Sequence, residues 1–433
     1  MKPSAFNTIL PLSPRLSVIY NAYTEKYLFF NPATFRVEEA LTAGNDAKTA
    51  KTLEAGGFIV PDETDEVERV KQRQQKIDLN DDLLGITINP TVNCNFRCWY
   101  CYESHHKSRM SKATVDKIEK FIAAQAPRFR NVSLSFFGGE PLIYFKSVMR
   151  PIIAFANETC EKTGTRLMVD MTSNGYLLTP EIADFLAANH FRTIQITLDG
   201  GKTHHDKTRF LANGTGSYTR IVRNIKMMAE RGIYVIMRIN YTKDNIESVK
   251  SIPDSFRGLS PETGRNIRVS MHQVWQDSSE LTQQVDEAIR GFEVVGMTIS
   301  RNLFANVSNS CYADKKNQLV VNYNGDIFKC TAVDFEKEQR DGYLDDTGEV
   351  VWENDSLARR LDSKFKNPPC LSCRLLPICN GGCSQQALSH AGTDYCVMNF
   401  DDTAKDRAVL DKIRFNALYN ADWAAQCFKN QTK

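Results

Sequence analysis

The chain has 433 residues, room for about three domains at roughly 150 residues each, and its 42% apolar and 24% charged residues fit an ordinary folded globular protein. Its 54 basic and 52 acidic side chains leave a net charge of +2, which argues against a phosphate backbone or an anionic membrane surface as the main partner. No run of eighteen apolar residues occurs, and the stretch from Met1 to Arg15 is too Pro-rich, with too short an apolar part, for a secretory signal. The expectation is a cytoplasmic protein with no nucleic-acid and no membrane partner.

Residues 1–62 read as a small α+β unit. Two β-prone runs, Arg15–Ile19 and Lys26–Phe30, flank Tyr20–Glu25 as a hairpin. Helical patterns follow at Arg36–Leu41 and Ala47–Ala55, and Gly56–Pro61 closes in an extended strand. Glu66–Leu79 is a charged helix, acidic early and basic late as the helix dipole favours. It reads as a solvated linker that completes a segment 1–80.

From Leu84 a strand-then-helix unit repeats six times, with strands predicted at Thr87–Val92, Val132–Phe137, Leu167–Thr172, Thr193–Leu198, Tyr234–Asn240 and Ile267–Val274. Such repeats imply parallel strands joined by right-handed crossovers. A partial (β/α)6 barrel over 81–300 and an open doubly wound sheet both satisfy the pattern.

Polar motifs fall at the strand ends. After the first strand come Cys94, Cys98 and Cys101, spaced C-x3-C-x2-C, with Tyr100 before the last. Three thiolates can hold three irons of a cubane cluster that usually takes four cysteines, leaving one iron open. A structural zinc loop is the other reading of a Cys-x2-Cys pair. Gly138, Gly139 and Glu140 end the second strand, where paired glycines let backbone approach a ligand and a carboxylate can accept from an ammonium. Ser173 and Asn174 end the third, offering a hydroxyl and an amide, or forming an ordinary Asn-Gly turn with Gly175. Asp199 ends the fourth, ahead of His205 and Arg209, and Arg238 and Asn240 close the fifth.

Beyond residue 300 the repeats give way to Cys311, Cys330, Cys370, Cys373, Cys379, Cys383 and Cys396. Twelve cysteines in a long chain without an export signal argue for metal over disulfides. A zinc ribbon would use four of these seven. Residues 401–433 begin with helical spacing at Val409, Leu410, Ile413 and Leu418, expected to pack on the barrel, with 419–433 frayed.

The cysteine triplet, the Gly138–Gly139–Glu140 and Ser173–Asn174 strand ends and the Leu198–Asp199–Gly200 and His205–Arg209 runs together resemble the radical S-adenosylmethionine (SAM) family. The spacing of the last seven cysteines resembles its SPASM extension, found in maturases of ribosomal peptides and in anaerobic sulfatase-maturating enzymes. The resemblance selects the partial TIM-type barrel, followed by a Cys-rich SPASM domain at 301–400. It implies that Cys94, Cys98 and Cys101 hold a [4Fe–4S] cluster whose open iron chelates SAM. It further implies SAM contacts from Tyr100, Gly138, Gly139, Glu140, Ser173, Asn174, Asp199, Arg238 and Asn240, while His205 and Arg209 either join them or brace their loop.

Two auxiliary [4Fe–4S] clusters are implied, one on Cys311, Cys330 and Cys383 and one on Cys370, Cys373, Cys379 and Cys396. The sulfatase-maturing relatives carry a further cysteine shortly before the position of Cys311, and Leu303–Val307 has none. Cys427, Cys160, a carboxylate or a substrate thiol remain as fourth ligand of the first auxiliary cluster. Those relatives also place a catalytic Asp where Thr331 stands, which leaves Asp334 as the candidate base. The implied activity is reductive SAM cleavage, hydrogen abstraction from a precursor peptide with a leader segment, and closure of a thioether or carbon–carbon crosslink. An external flavodoxin- or ferredoxin-type protein would donate the electron. Residues 1–62, as a winged-helix-like unit, either bind that leader or merely cap the barrel.

Overall fold

The computed structural model describes residues 1–42, 46–274, 276–300 and 310–419. Leu303–Val307, Cys427 and the expected frayed end beyond 419 lie outside the described residues. The chain divides into two compact units, Met1–Asn80 with Arg301–Lys316 and Ser356–Lys433, and Asp81–Ser300 with Asn317–Asp355. Residues 317–355, within the segment expected as one Cys-rich domain, thus group with the strand-helix repeats.

The first unit begins with β1 (Lys2–Pro3), β2 (Asn7–Ser13), β3 (Leu16–Asn21) and β4 (Tyr27–Phe30), then α1 (Val37–Thr42), α2 (Ala47–Gly56), β5 (Ile59–Val60) and α3 (Glu66–Asp78). β2, β3 and β4 form an antiparallel sheet in that order, and β1 pairs with β5. The hairpin between β3 and β4 lies where the sequence places it. β2 was not expected, because Pro11 interrupts its alternation. α3 is no solvated linker: Val70, Gln74 and Asp78 are buried along one side.

The second unit carries β6 (Leu83–Ile88), α4 (Lys112–Gln125), β7 (Asn131–Phe136), α5 (Arg150–Thr163), β8 (Arg166–Ser173), α6 (Pro180–Ala188), β9 (Phe191–Leu198), α7 (Lys202–Thr208), α8 (Tyr218–Glu230), β10 (Tyr234–Tyr241), α9 (Ile246–Val249), α10 (Pro261–Arg265), β11 (Ile267–Gln273), α11 (Thr282–Val294) and β12 (Thr298–Ser300). Short strands β13 (Gln318–Val321), β14 (Asp326–Phe328), β15 (Gly342–Leu344) and β16 (Val350–Trp352) complete it. The sheet order is β12-β11-β10-β9-β8-β7-β6-β13-β14-β15-β16. β6 to β11 are parallel neighbours in chain order, the connectivity of a barrel wall and not the reversed order of a doubly wound sheet. β6 starts four residues before its predicted position, so the cysteine motif sits on a loop well beyond the strand end.

Alternation within these strands decides which face meets the helices. Val132, Leu134, Phe136, Val169, Ile194, Ile196, Val235 and Met237 are buried in one apolar core. Ser135, Asp170, Gln195, Arg238, Ser270 and His272, on the opposite face, are only partly covered. Parallel strands buried on both faces read as continuous apolar runs; here the second face is polar.

The first unit resumes with α12 (Ser356–Ser363), α13 (Pro368–Leu371), α14 (Leu376–Cys379), α15 (Ser384–Ser389) and α16 (Asp402–Tyr419). Val409 and Ile413 of α16 pack with Phe6, Leu10, Val18, Tyr20 and Val70, so this helix covers the N-terminal sheet.

Candidate functional site

The cysteine loop and the ends of β7, β8 and β9 are tied together by named bonds. Gly138 and Gly139 hold φ of +80° and +28°. A Cβ on Gly139 would lie 2.1 Å from the Asn93 carbonyl oxygen, so only glycine lets β7's end pass beneath the loop that carries Cys94. Glu140 is fully buried. Its carboxylate accepts from Leu142 N at 3.1 Å, Ser173 Oγ at 2.8 Å and Asn174 N at 2.7 Å. Burial pushes its pKa up to about 7, against those three donors. Glu140 and Ser173 therefore lock two strand ends to each other.

Asn174 continues the chain of contacts. Its Nδ2 donates to Asn95 Oδ1 at 2.7 Å and lies 3.8 Å from Cys94 Sγ. Burial, with Glu140's charge adding, pushes the Cys94 thiol up to about 12, and burial raises Cys98 and Cys101 too. A metal that replaces those protons removes the penalty, because thiolate is the ligating form.

A second set of contacts surrounds Cys98. Tyr100 donates its hydroxyl to Asp199 Oδ2 at 2.6 Å, and Arg209 Nη1 donates to the Tyr100 oxygen at 2.9 Å and stands 3.8 Å from Asp199 Oδ2. Burial raises Asp199, opposed by Arg209. Burial alone would lower Arg209, but Cys98, Tyr100 and Asp199 hold it charged. Arg238 donates to Asn240 Oδ1 at 2.8 Å.

His205 braces this loop. Its Nδ1 accepts from Asp199 N at 3.2 Å, and its Nε2, 2.9 Å from Ser217 Oγ, carries the proton. Burial, then Arg209, pushes its pKa down to about 3.

Among the described residues, Asp199 Oδ1, Asn95 Nδ2 and Arg209 Nε are buried without a hydrogen-bond partner. Such orphans are costly unless a polar ligand satisfies them, and a charged nucleoside such as SAM fits. No three His, Cys, Asp or Glu side chains among the described residues converge tightly enough for a single metal ion. The fit to an iron–sulfur cluster rests on donor chemistry and spacing.

Sequence reasoning missed Glu103. Its Oε2 accepts from Gly139 N at 2.5 Å, and burial pushes its pKa up to about 7. His272, 2.9 Å from Ser270 Oγ on β11, was also missed; burial, then Arg238, pushes it down to about 4. No local motif marks either residue.

The remaining candidates fall elsewhere. Asp334 is exposed in the bend after Cys330, and the Thr331 carbonyl accepts from Tyr102 OH at 3.0 Å. Cys160 lies on the core-facing side of α5, buried in the apolar core, which argues against it as a cluster ligand. Cys311 and Cys383 lie in the first unit and Cys330 in the second.

Cys370, Cys373, Cys379 and Cys396 line one hollow with Leu376, Tyr395 and Lys405. Asn367 Nδ2 donates to Cys370 Sγ at 3.0 Å. Burial, then the Cys370 and Cys373 charges, pushes Cys379 up to about 12. Four thiolates in that hollow would carry more negative charge than Lys405 alone offsets.

Residues 88–254 match the family model "Radical SAM superfamily". The chain is 24% identical over 320 residues to mycofactocin maturase MftC of Mycolicibacterium smegmatis, spanning 69% of this chain and 77% of that one. It is 24% identical over 341 residues to a cysteine-type anaerobic sulfatase-maturating enzyme of Clostridium novyi, spanning 69% and 87%. Native anSMEcpe with bound AdoMet and a Cp18Cys peptide shares the fold at a TM-score of 0.58 and 15% identity, over 79% of this chain and 99% of that one. Streptococcus suis SuiB bound to its precursor peptide SuiA does so at 0.54 and 17%, over 91% and 98%. The family implies a [4Fe–4S] cluster and SAM, the two groups to which the thiols and orphaned atoms above are suited. Residues 88–254 are a radical SAM domain, and the chain that carries it is an enzyme.

Proposed function

We propose that this enzyme matures a ribosomally made precursor peptide, closing a thioether or carbon–carbon crosslink. The observation that carries this reading is the reach of the likeness: the alignments to MftC and to the sulfatase-maturating enzyme extend well past the 88–254 domain. When bound, the cluster and SAM supply a 5′-deoxyadenosyl radical that takes a hydrogen atom from the peptide.

The chain's own residues do the positioning. Cys94, Cys98 and Cys101 would hold the cluster. The Gly138–Gly139 backbone, with Asp199, Asn95 and Arg209, would seat SAM, while Glu140 and Ser173 keep that seat closed to water. Arg238 and Asn240 would extend it along β10. Cys370, Cys373, Cys379 and Cys396 would hold an auxiliary cluster able to accept the electron released on closure. Cys311, Cys330 and Cys383 are the proposed ligands of the other. A flavodoxin- or ferredoxin-type donor would supply the initiating electron, and the edge of β2 or β4 would take the leader as an added strand.

The test is anaerobic incubation with SAM, a reductant and each short peptide found encoded in the neighbouring reading frames. The expected outcome is 5′-deoxyadenosine together with a peptide that has lost two hydrogens. An unchanged peptide alongside 5′-deoxyadenosine refutes the reading. Asp334 is the proposed proton acceptor: Asp334→Asn should stop crosslinking yet leave 5′-deoxyadenosine formation, and full crosslinking in that variant removes it.

Formylglycine formation on a sulfatase peptide is the second reading, favoured by the likeness to the Clostridium novyi enzyme and opposed by Thr331, whose hydroxyl is a poor base near neutral pH. An aldehyde on such a peptide would decide for it. A non-catalytic iron–sulfur or zinc scaffold would release no 5′-deoxyadenosine.

A further inference from the structure

α3 is held at three heights by residues that belong to cysteine-bearing segments or to the N-terminal sheet, all within the first unit. At its start, Glu66 accepts from Ser4 Oγ at 2.5 Å and Ala5 N at 2.9 Å. In its middle, Arg73 donates Nη1 to the Tyr23 carbonyl at 2.9 Å and Nη2 to the Pro377 carbonyl at 3.1 Å, with its guanidinium 4.0 Å from the Tyr23 ring centre. Pro377 lies in α14, which ends at Cys379.

At its end, Asp78 Oδ2 meets Lys364 Nζ at 2.7 Å, with both side chains nearly inaccessible at 2% and 5%. Lys364 also contacts Asp314 Oδ2 at 3.0 Å and Ser310 Oγ at 3.1 Å. Ser384 Oγ donates to Asp314 Oδ1 at 2.5 Å, and Arg360 Nη1 donates to Ser384 Oγ at 3.0 Å. Ser310 precedes Cys311 and Ser384 follows Cys383, so this buried chain of two carboxylates and two cations joins the backbones that carry those cysteines.

Buried ion pairs are expensive to desolvate, and apolar replacements of similar shape are often as stable. What a network of this kind supplies is a single geometry. Groups that orient metal ligands from behind control affinity for the metal. A guanidinium bridging two carbonyls in fixed directions cannot be reproduced by an ammonium.

We propose that α3 is the positioning element for the auxiliary iron–sulfur ligands: Arg73 fixes the Cys373–Cys379 turn, and Asp78, through Lys364, fixes the segments that carry Cys311 and Cys383. This rests on the reading that those cysteines hold clusters.

The test uses the full chain with Cys94, Cys98 and Cys101 changed to Ala, so that all reconstituted iron belongs to the auxiliary sites. In that parent, Lys364→Met should lower iron and sulfide by about four atoms each per chain, one cubane's worth. Arg73→Gln should lower them likewise or change the electron paramagnetic resonance (EPR) spectrum of the reduced protein, and Arg73→Lys should not restore it. With the three cysteines present, both variants should keep the iron of the SAM-binding cluster, which a globally misfolded chain would lose.

The proposal is overturned if both variants match the parent's iron and EPR spectrum. It is also overturned if both lose all iron with the three cysteines present, which would make α3 a general support of the fold. A parent holding no iron would sink the cluster reading itself, and the proposal with it.

Discussion

Gly139→Ala isolates the close approach on which the SAM seat depends. The added Cβ would lie 2.1 Å from Asn93 O, 2.6 Å from Asn93 C and 2.7 Å from Val92 C. All three are backbone atoms, so no side chain can swing aside. Reaching even the shortest tolerated separation, about 3.0 Å, requires the two backbones to part by at least roughly 0.9 Å. The segment that must move accepts Glu140 N on Asn93 O at 2.9 Å and leads directly into Cys94.

Two costs enter: left-handed strain of about 1–2 kcal/mol and overpacking of about 1–3 kcal/mol. Gly164 supplies the control, because its φ is +70° yet a Cβ there meets nothing within 4 Å. Gly164→Ala carries the strain alone. The difference of about 1–3 kcal/mol predicts SAM binding roughly 5–150-fold weaker in Gly139→Ala than in Gly164→Ala. A ligand loop misplaced by about 1 Å is also enough to cost about 100-fold in rate. The assay is SAM titration of anaerobically reconstituted protein, followed by the change in its EPR spectrum, with iron per chain measured alongside. Equal affinity and equal iron in the two variants would refute the argument.

Further outcomes follow from the same geometry. Asp199 and Arg209 are 3.8 Å apart with side chains 2% and 9% exposed, so Asp199→Asn and Arg209→Gln should be coupled in SAM affinity by about 1–3 kcal/mol; additivity within about 0.5 kcal/mol would show that Arg209 acts alone. His205 is held neutral with its pKa at about 3, below its ordinary 6.5. The native state therefore binds fewer protons than the unfolded one, and the stability His205 contributes above pH 6.5 is lost as pH falls from 6.5 towards 3. That loss is at most about 1.4 kcal/mol per pH unit. Arg209, Lys202 and Asp206 are the charges that face it. His205→Asn should flatten the urea midpoint between pH 7 and pH 5, and an unchanged slope assigns the acid lability elsewhere. Cys160 is 1% exposed, with burial pushing its thiol up to about 11. Cys160→Ala should leave iron per chain unchanged, and lost iron would restore it as a ligand.

What the sequence discloses depends on whether the relevant spacing is local. The six parallel strands were legible because alternation such as Val132, Leu134 and Phe136 separates a helix-covered face from a polar one, and that period survives in any context. The short strands β13 to β16 carry three or four residues each, too few for a period to show. Arg209 was singled out by its motif, but its bond to Tyr100 crosses 109 residues, so the motif gave no partner.

α3 is the sharpest case. Its buried positions Val70, Gln74 and Asp78 recur every four residues, yet two of the three are polar, so counting apolar residues finds no buried stripe and returns a solvated helix. A polar side chain is stable inside only when its partner is present. Gln74 donates to Asp78 from within the helix at 3.0 Å, but the charged partner of Asp78 is Lys364, 286 residues away. The signal that α3 belongs to the interior is thus written in a pair and not in a period. For the same reason Lys364→Met should disturb the structure more than Asp78→Asn: the lysine's loss leaves Asp78 and Asp314 buried without their shared cation, whereas the amide still accepts from Lys364 and adds no charge. Greater protection of the 310–316 amides from hydrogen exchange in Lys364→Met than in Asp78→Asn would show that the network is not what holds that segment in place.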